Sequence, residues 1–299
     1  MYVKTALYTF LSIIIFFSEC TAFAKEALYR PTAKEEVSKI YIVGVHPYIN
    51  TQQMFLSYRP ILDYLEKNIP NTFFILETSE NYAQYNQKLF AHVFDFSLPN
   101  PYQTVMSFNY GYHVIAKMKP DSAFKGIFVA RKSSHLREFA QLKNQKVSFP
   151  APTALAAAMM PLYFLKANGV DINNDIEKLY VGSQFSSILN AYSGDTIVGA
   201  TWPTSYEDWC KLNPQKAQEM EVVWETQMLV NNGFVVQERV PEGLAQHVAV
   251  LLSALDANEA GDKLLKNAGF PGFELANNKT YDTVVHFLEQ YDKEIGLPK

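Results

Sequence analysis

A β-α-β-α-β alternation that occurs twice constrains the fold of this chain more than any other feature. In the first pass, a β-branched run predicts a buried strand over residues 39–46, ended by Pro47-Tyr48. Phe55, Tyr58, Ile61, Leu62 and Leu65 recur at helical spacing within residues 54–68. A strand over 71–77, a helix over 82–91 and a strand over 93–98 follow, the last stopped by Pro99-Asn100-Pro101-Tyr102. Two strands, 112–118 and 126–131, cross to the second pass. There the pattern predicts strands at 146–149, 176–181 and 197–201, alternating with helices at 154–168, 185–193 and 205–211. Strands 222–226 and 233–237 lead back, and everything from Glu242 onward reads as helix.

Such alternation specifies α/β layers, and doing it twice specifies two lobes of similar design. Residues 39–120 and 226–299 are assigned to lobe 1 and residues 121–225 to lobe 2. Extended crossings near residues 120 and 225 act as a hinge and set a ligand cleft between the lobes.

The N-terminus predicts export. Lys4 precedes an apolar run over residues 6–17, and Ala22-Phe-Ala24 supplies a cleavage site, so residues 1–24 read as a signal peptide and 25–38 as a polar lead-in. The apolar run falls short of the ~20 residues a membrane span needs, which argues against an uncleaved anchor. Lipoprotein processing at Cys20 would want a small residue where Glu19 stands. Cleavage removes one of the two cysteines, so Cys210 has no intrachain partner and the fold must rest on its core.

With a formal net charge of −4 and dispersed Lys and Arg, the chain lacks the basic tract that follows a phosphate backbone, and nucleic acid is not an expected partner. A mildly acidic protein that binds an anion must use local dipoles and hydroxyls. Residues 147–161 offer this: a strand, a turn punctuated by Pro150 and Pro152, and a helix of small residues starting beside Thr153. A helix N-terminus leaves several N–H groups unpaired and favours negative charge. The alternative is that Thr153 is an ordinary N-cap with nothing bound.

Catalytic signatures are missing. No G-x-S-x-G elbow, H-E-x-x-H pair or phosphate-gripping G-x-x-x-x-G-K-[ST] occurs, and the six histidines show no i, i+4 pairing. No enzyme, metal or cofactor is therefore expected.

Gly44-Val-His-Pro-Tyr48, Tyr58 to Lys67, Phe94 to Tyr102, Phe128-Val-Ala-Arg-Lys132, Leu142 to Pro150, Gly182-Ser-Gln184 and Gly233-Phe-Val-Val236 occur in the order seen in one known family. Over residues 40–290 the chain resembles the phosphate/phosphite/phosphonate-binding components of ABC importers. The resemblance implies a type II periplasmic binding-protein fold with a hinge, no catalysis, a periplasmic monomer, a small anionic ligand, and delivery to an inner-membrane ABC permease. It makes Tyr48, Asn100 and Tyr102 candidate ligand residues in lobe 1, and Thr153, Ala154 and Leu155 candidates in lobe 2. The family's run of hydroxyl residues is largely absent here, and Gln184 stands where members have His. Ser183, Gln184, Thr201 and Trp202 can still offer neutral donors and an aromatic wall, and Tyr206, Glu207 and Asp208 could receive an ammonium group. A sensory binding protein signalling to a membrane kinase and an exported hydrolase are the other two functions that this scaffold allows.

Overall fold

The computed structural model describes residues 38–298, so the expected signal peptide and most of the lead-in lie outside the described residues. Residues from Ser38 onward form one compact unit. The first sheet is built from β1 (Lys39–Val45), β2 (Thr72–Glu77), β3 (Phe96–Leu98), β4 (Tyr112–Lys119), β10 (Gly233–Gln237) and β11 (Gly272–Leu275). Its order is β11-β4-β10-β3-β1-β2. The second sheet contains β5 (Lys125–Arg131), β6 (Gln145–Phe149), β7 (Ile176–Tyr180), β8 (Val198–Thr201) and β9 (Met220–Met228), in the order β7-β6-β8-β5-β9.

The two sheets share one plan. In each, the strand that opens the β-α-β run lies between its two parallel successors: β1 between β2 and β3, β6 between β7 and β8. An antiparallel strand then flanks the run, β10 beside β3 and β5 beside β8. Connections that leave a central strand toward opposite sides create a crevice at the strands' carboxyl ends, where α/β sheets place ligands.

The helices of the first half are α1 (Thr51–Asn68), α2 (Tyr82–Phe90) and α3 (Pro101–Ser107). In the second half a π-helical turn, Leu155–Met159, runs directly into α4 (Met160–Ala167), followed by α5 (Gln184–Ser193), α6 (Pro203–Leu212) and the short α7 (Pro214–Ala217). The chain ends with α8 (Glu242–Ser253), α9 (Glu259–Ala268) and α10 (Asp282–Glu294). A Cβ on Gly126 of β5 would lie 2.3 Å from the Ala156 carbonyl oxygen, so glycine there lets the π-helical turn sit directly against the sheet.

One expectation is corrected. The C-terminal region is not continuous helix: β11 interrupts it and pairs antiparallel with β4. Gly269 closes α9 in the left-handed conformation at φ 85°, and Pro271 prevents the helix from resuming.

The sheets are joined by two crossings, residues 120–124 and 229–232, which lie side by side. The Asn231 N–H donates to Asp121 Oδ1 at 2.9 Å, the Asn231 amide to the Pro120 carbonyl at 3.0 Å, and the Leu229 N–H to the Phe124 carbonyl at 3.0 Å. The Tyr281 hydroxyl secures Asn231 from the α10 side by donating to its carbonyl at 2.6 Å.

Candidate functional site

The carboxyl ends of both sheets converge on a small cavity. His46 follows β1, Tyr82 opens the helix after β2, and Asn100 follows β3. Ala154 to Ala157 follow β6, Gln184 opens the helix after β7, and Trp202 follows β8. Phe124 and Asn232, one from each crossing, complete the wall. Every strand that points at the crevice therefore contributes, together with the segments that join the halves.

Contacts across the crevice hold it shut. Asn100 donates its amide to the Thr153 carbonyl at 2.9 Å, and Gln184 donates its amide to the Tyr82 hydroxyl at 3.3 Å. Tyr48 stands edge-on to Trp202, ring centroids 5.6 Å apart, and Trp202 meets Phe124 at 6.0 Å.

The start of the π-helical turn is the distinctive element. Its N-cap is Ala154, in extended conformation with no side chain to cap it. The Ala158 N–H already uses the Ala154 carbonyl, at 2.7 Å, while the N–H groups of Leu155, Ala156 and Ala157 have no acceptor among the described residues. Three unpaired donors at the positive end of a helix continuous to Ala167, beside a cavity, are an arrangement that favours negative charge.

The side chains around it are neutral. Burial drives the His46 imidazole down to about 4 from its ordinary 6.5, a hydrogen bond to the Leu98 carbonyl only partly opposing the shift. A carbonyl can only accept, so the 2.9 Å contact fixes the proton on Nδ1 and leaves Nε2 as a bare acceptor. Burial pushes the Tyr82 hydroxyl up to about 12. Thr201 orients Gln184 by donating to its Oε1 at 2.8 Å, which directs the amide nitrogen to Tyr82. The Ser187 hydroxyl donates to the Ala200 carbonyl at 2.7 Å and so ties α5 to β8. An anion here would be held by backbone dipoles and neutral donors alone.

Of the residues singled out in the sequence, Asn100, Ala154, Leu155, Gln184 and Trp202 line the cavity. Tyr48, Tyr102, Thr153, Ser183 and Thr201 stand outside its wall. Tyr48 shares a 2.8 Å hydrogen bond with Tyr58. Tyr102 is buried in the first turn of α3. Thr153 presents its carbonyl to Asn100, Ser183 caps α5, and Thr201 acts through Gln184. Thr153 is also not the cap of the helix that follows, because the chain enters that helix one residue later. Asp208 is paired with Lys211 at 3.0 Å and does not line the cavity.

His46, Tyr82, Phe124, Ala156, Ala157 and Asn232 were not anticipated. Their sequence signal was the position of His46 at the end of a predicted strand and of Tyr82 at the start of the helix that follows another. Roomier hollows exist elsewhere, one beside α1, α6 and α9, one beside α4 and β9, and one at the start of β6 beside the end of α5. None of them contains the uncapped helix start at Ala154.

A family model described as "ABC transporter, phosphonate, periplasmic substrate-binding protein" matches residues 43–281. The probable ABC transporter phosphite-binding protein PhnD1 of Prochlorococcus marinus (strain MIT 9301) is 28% identical over 193 residues, which cover 60% of this chain and 65% of that protein. The solved structure of PhnD1 from the same organism in complex with methylphosphonate superposes with a TM-score of 0.77 at 22% identity, over 86% of this chain and 99% of the other. A binding-protein component of an ABC phosphonate transporter from Pseudomonas aeruginosa gives a TM-score of 0.78 at 13% identity, covering 86% and 87% of the two chains. The alkanesulfonate-binding protein SsuA of Xanthomonas axonopodis pv. citri gives 0.63 at 14% identity, covering 87% and 94%. These likenesses bear out the two-lobed type II periplasmic binding-protein fold.

Proposed function

The chain belongs to the family of periplasmic substrate-binding proteins of ABC phosphonate transporters, and from that premise we propose that it binds a phosphonate- or phosphate-like oxyanion at the start of the Leu155 helix. The observation that carries this reading is the set of three N–H donors without acceptors, enclosed at the meeting point of both sheets.

The absence of the family's hydroxyl run bears on strength. Each charge-assisted or hydroxyl hydrogen bond that is missing removes roughly 1–3 kcal/mol, so the helix end and Gln184 must supply most of the attraction. The protein binds without turnover, acts as a monomer, is exported through its N-terminal leader, and hands its ligand to an inner-membrane ABC permease. Phe124 and Asn232 lie in the crossings and in the cavity wall at once, so ligand contact would couple directly to closure about residues 120–124 and 229–232.

Calorimetric titration with phosphite, methylphosphonate and phosphate tests the function. Saturable binding of at least one, with a smaller radius of gyration when bound, is the expected outcome. Binding of none of them, alongside binding of a cationic or aromatic solute, would overturn it.

A further inference from the structure

Asn232 is fully buried, lines the cavity, and has an amide oxygen that meets no donor among the described residues. Its amide nitrogen is engaged with Met118 Sδ at 3.4 Å, its backbone N–H with Asn231 Oδ1 at 2.8 Å, and its carbonyl with the Met118 N–H at 2.9 Å. Each other polar group of this residue is committed, which leaves Oδ1 to whatever fills the cavity. A buried acceptor without a donor is destabilising, and a ligand hydrogen would satisfy it. We propose that Asn232 selects the protonation state of the ligand, admitting an oxyacid that still carries one hydrogen on oxygen and rejecting the fully ionised form. The inference rests on reading the cavity as an oxyanion site.

The complementarity is two-sided. The N–H groups of Leu155, Ala156 and Ala157 call for oxygen acceptors, while Asn232 Oδ1 and the bare Nε2 of His46 call for a donor. A hydrogen phosphonate monoanion offers both, whereas a dianion would set a second negative charge against two lone pairs in a wall with no cation. Sulfonates match the monoanion in shape and charge but carry no hydrogen on oxygen, so their oxygens would abut Asn232 Oδ1 unfavourably.

Groups of the protein do not confound a pH test. His46 stays neutral above about pH 5 and Tyr82 is neutral throughout the working range. Around the Asn232 segment, Lys117 pairs with Asp121 at 2.7 Å and with Glu274, and Tyr281 is held neutral by burial.

The experiment titrates the full-length mature protein with methylphosphonate from one pH unit below the ligand's second ionisation to two above it, with methanesulfonate as the charge-matched probe. Below the ionisation, methylphosphonate should bind at least about tenfold more tightly than methanesulfonate, the ~1.4 kcal/mol per decade scale of one satisfied acceptor. Above it, the methylphosphonate Kd should rise about tenfold per pH unit, as the competent species falls by that factor. In Asn232→Leu the preference over methanesulfonate should shrink to about twofold, and the wild-type slope keeps the test decisive should that variant not fold. Equal or tighter binding of methanesulfonate, or a Kd unchanged across the ionisation, overturns the inference while leaving the oxyanion site standing. If neither anion binds at any pH, the oxyanion reading itself fails and this inference falls with it.

Discussion

Two helices start at the same crevice, one after β3 and one after β6, and they finish their N-termini in opposite ways. At α3, Asn100 forms a full capping box: its Oδ1 accepts the Gln103 N–H at 3.1 Å, and Gln103 Oε1 accepts the Asn100 N–H at 3.0 Å. At the Leu155 helix, the corresponding cap is Ala154, which has nothing to offer, and three N–H groups stay open. The first terminus is satisfied from within and spends its remaining amide on the Thr153 carbonyl across the crevice. The second is left for a ligand. Similar strands and turns thus yield a structural joint in one half and a receptor in the other, the difference residing in one side chain.

Substituting that side chain should produce the largest effect. Ala154→Asp would give the open terminus the cap that α3 has and set a fixed negative charge in a buried position. Affinity for the oxyanion should fall at least about 100-fold, since Coulombic repulsion in a poorly hydrated cavity amounts to several kcal/mol. The melting temperature should drop by no more than about 4 °C, because the new cap offsets the cost of accommodating the carboxylate. Calorimetry and thermal denaturation on the same sample separate the two.

Acid comes next. The unfolded chain takes up a proton on His46 near pH 6.5, whereas the buried ring resists until about 4. More protons are bound by the unfolded state in that window, so stability is complete above pH 6.5 and declines as pH falls through it, by about 3 kcal/mol at pH 4. Denaturant unfolding of wild type and His46→Gln should show the variant lacking this part of the acid slope.

Asn100→Ala should open the closed terminus. Losing the capping box and the bond to Thr153 is expected to cost about 1–2 kcal/mol of stability by chemical denaturation. Affinity should weaken about fivefold, the net worth of one hydrogen bond that holds the closed form. Thr153→Ala should do least, under about 0.5 kcal/mol in binding by calorimetry, because the part of Thr153 that makes contact is its backbone carbonyl.

What could be read from the sequence follows the range of the forces involved. β1 was visible as an apolar run and β6 as a short strand in the repeated alternation, because strands are written locally, whereas Asn100-Pro101 was read only as the stop of β3 and α3 went unseen. β11 was not, since Gly272 to Leu275 is four residues long with Glu274 and Leu275 exposed, and its partner β4 lies some 150 positions upstream in sequence. The anion-site helix was located within a residue, but the cap was assigned to Thr153 because a hydroxyl residue at a helix start is the ordinary reading. Asn232 had no signal, since Asn231-Asn232-Gly233 reads as a turn and its buried, unpartnered oxygen arises only when the crossings pack beneath both sheets.

The central claim is that the oxyanion sits on the uncapped terminus of the Leu155 helix. A crystal structure of the protein saturated with the tightest-binding oxyanion tests it most directly. Ligand oxygens should lie within about 3.2 Å of the backbone nitrogens of Leu155, Ala156 and Ala157. A ligand found instead in the hollow lined by Asn50, Asp208 and Lys266, with those three nitrogens bonded to water alone, would contradict it.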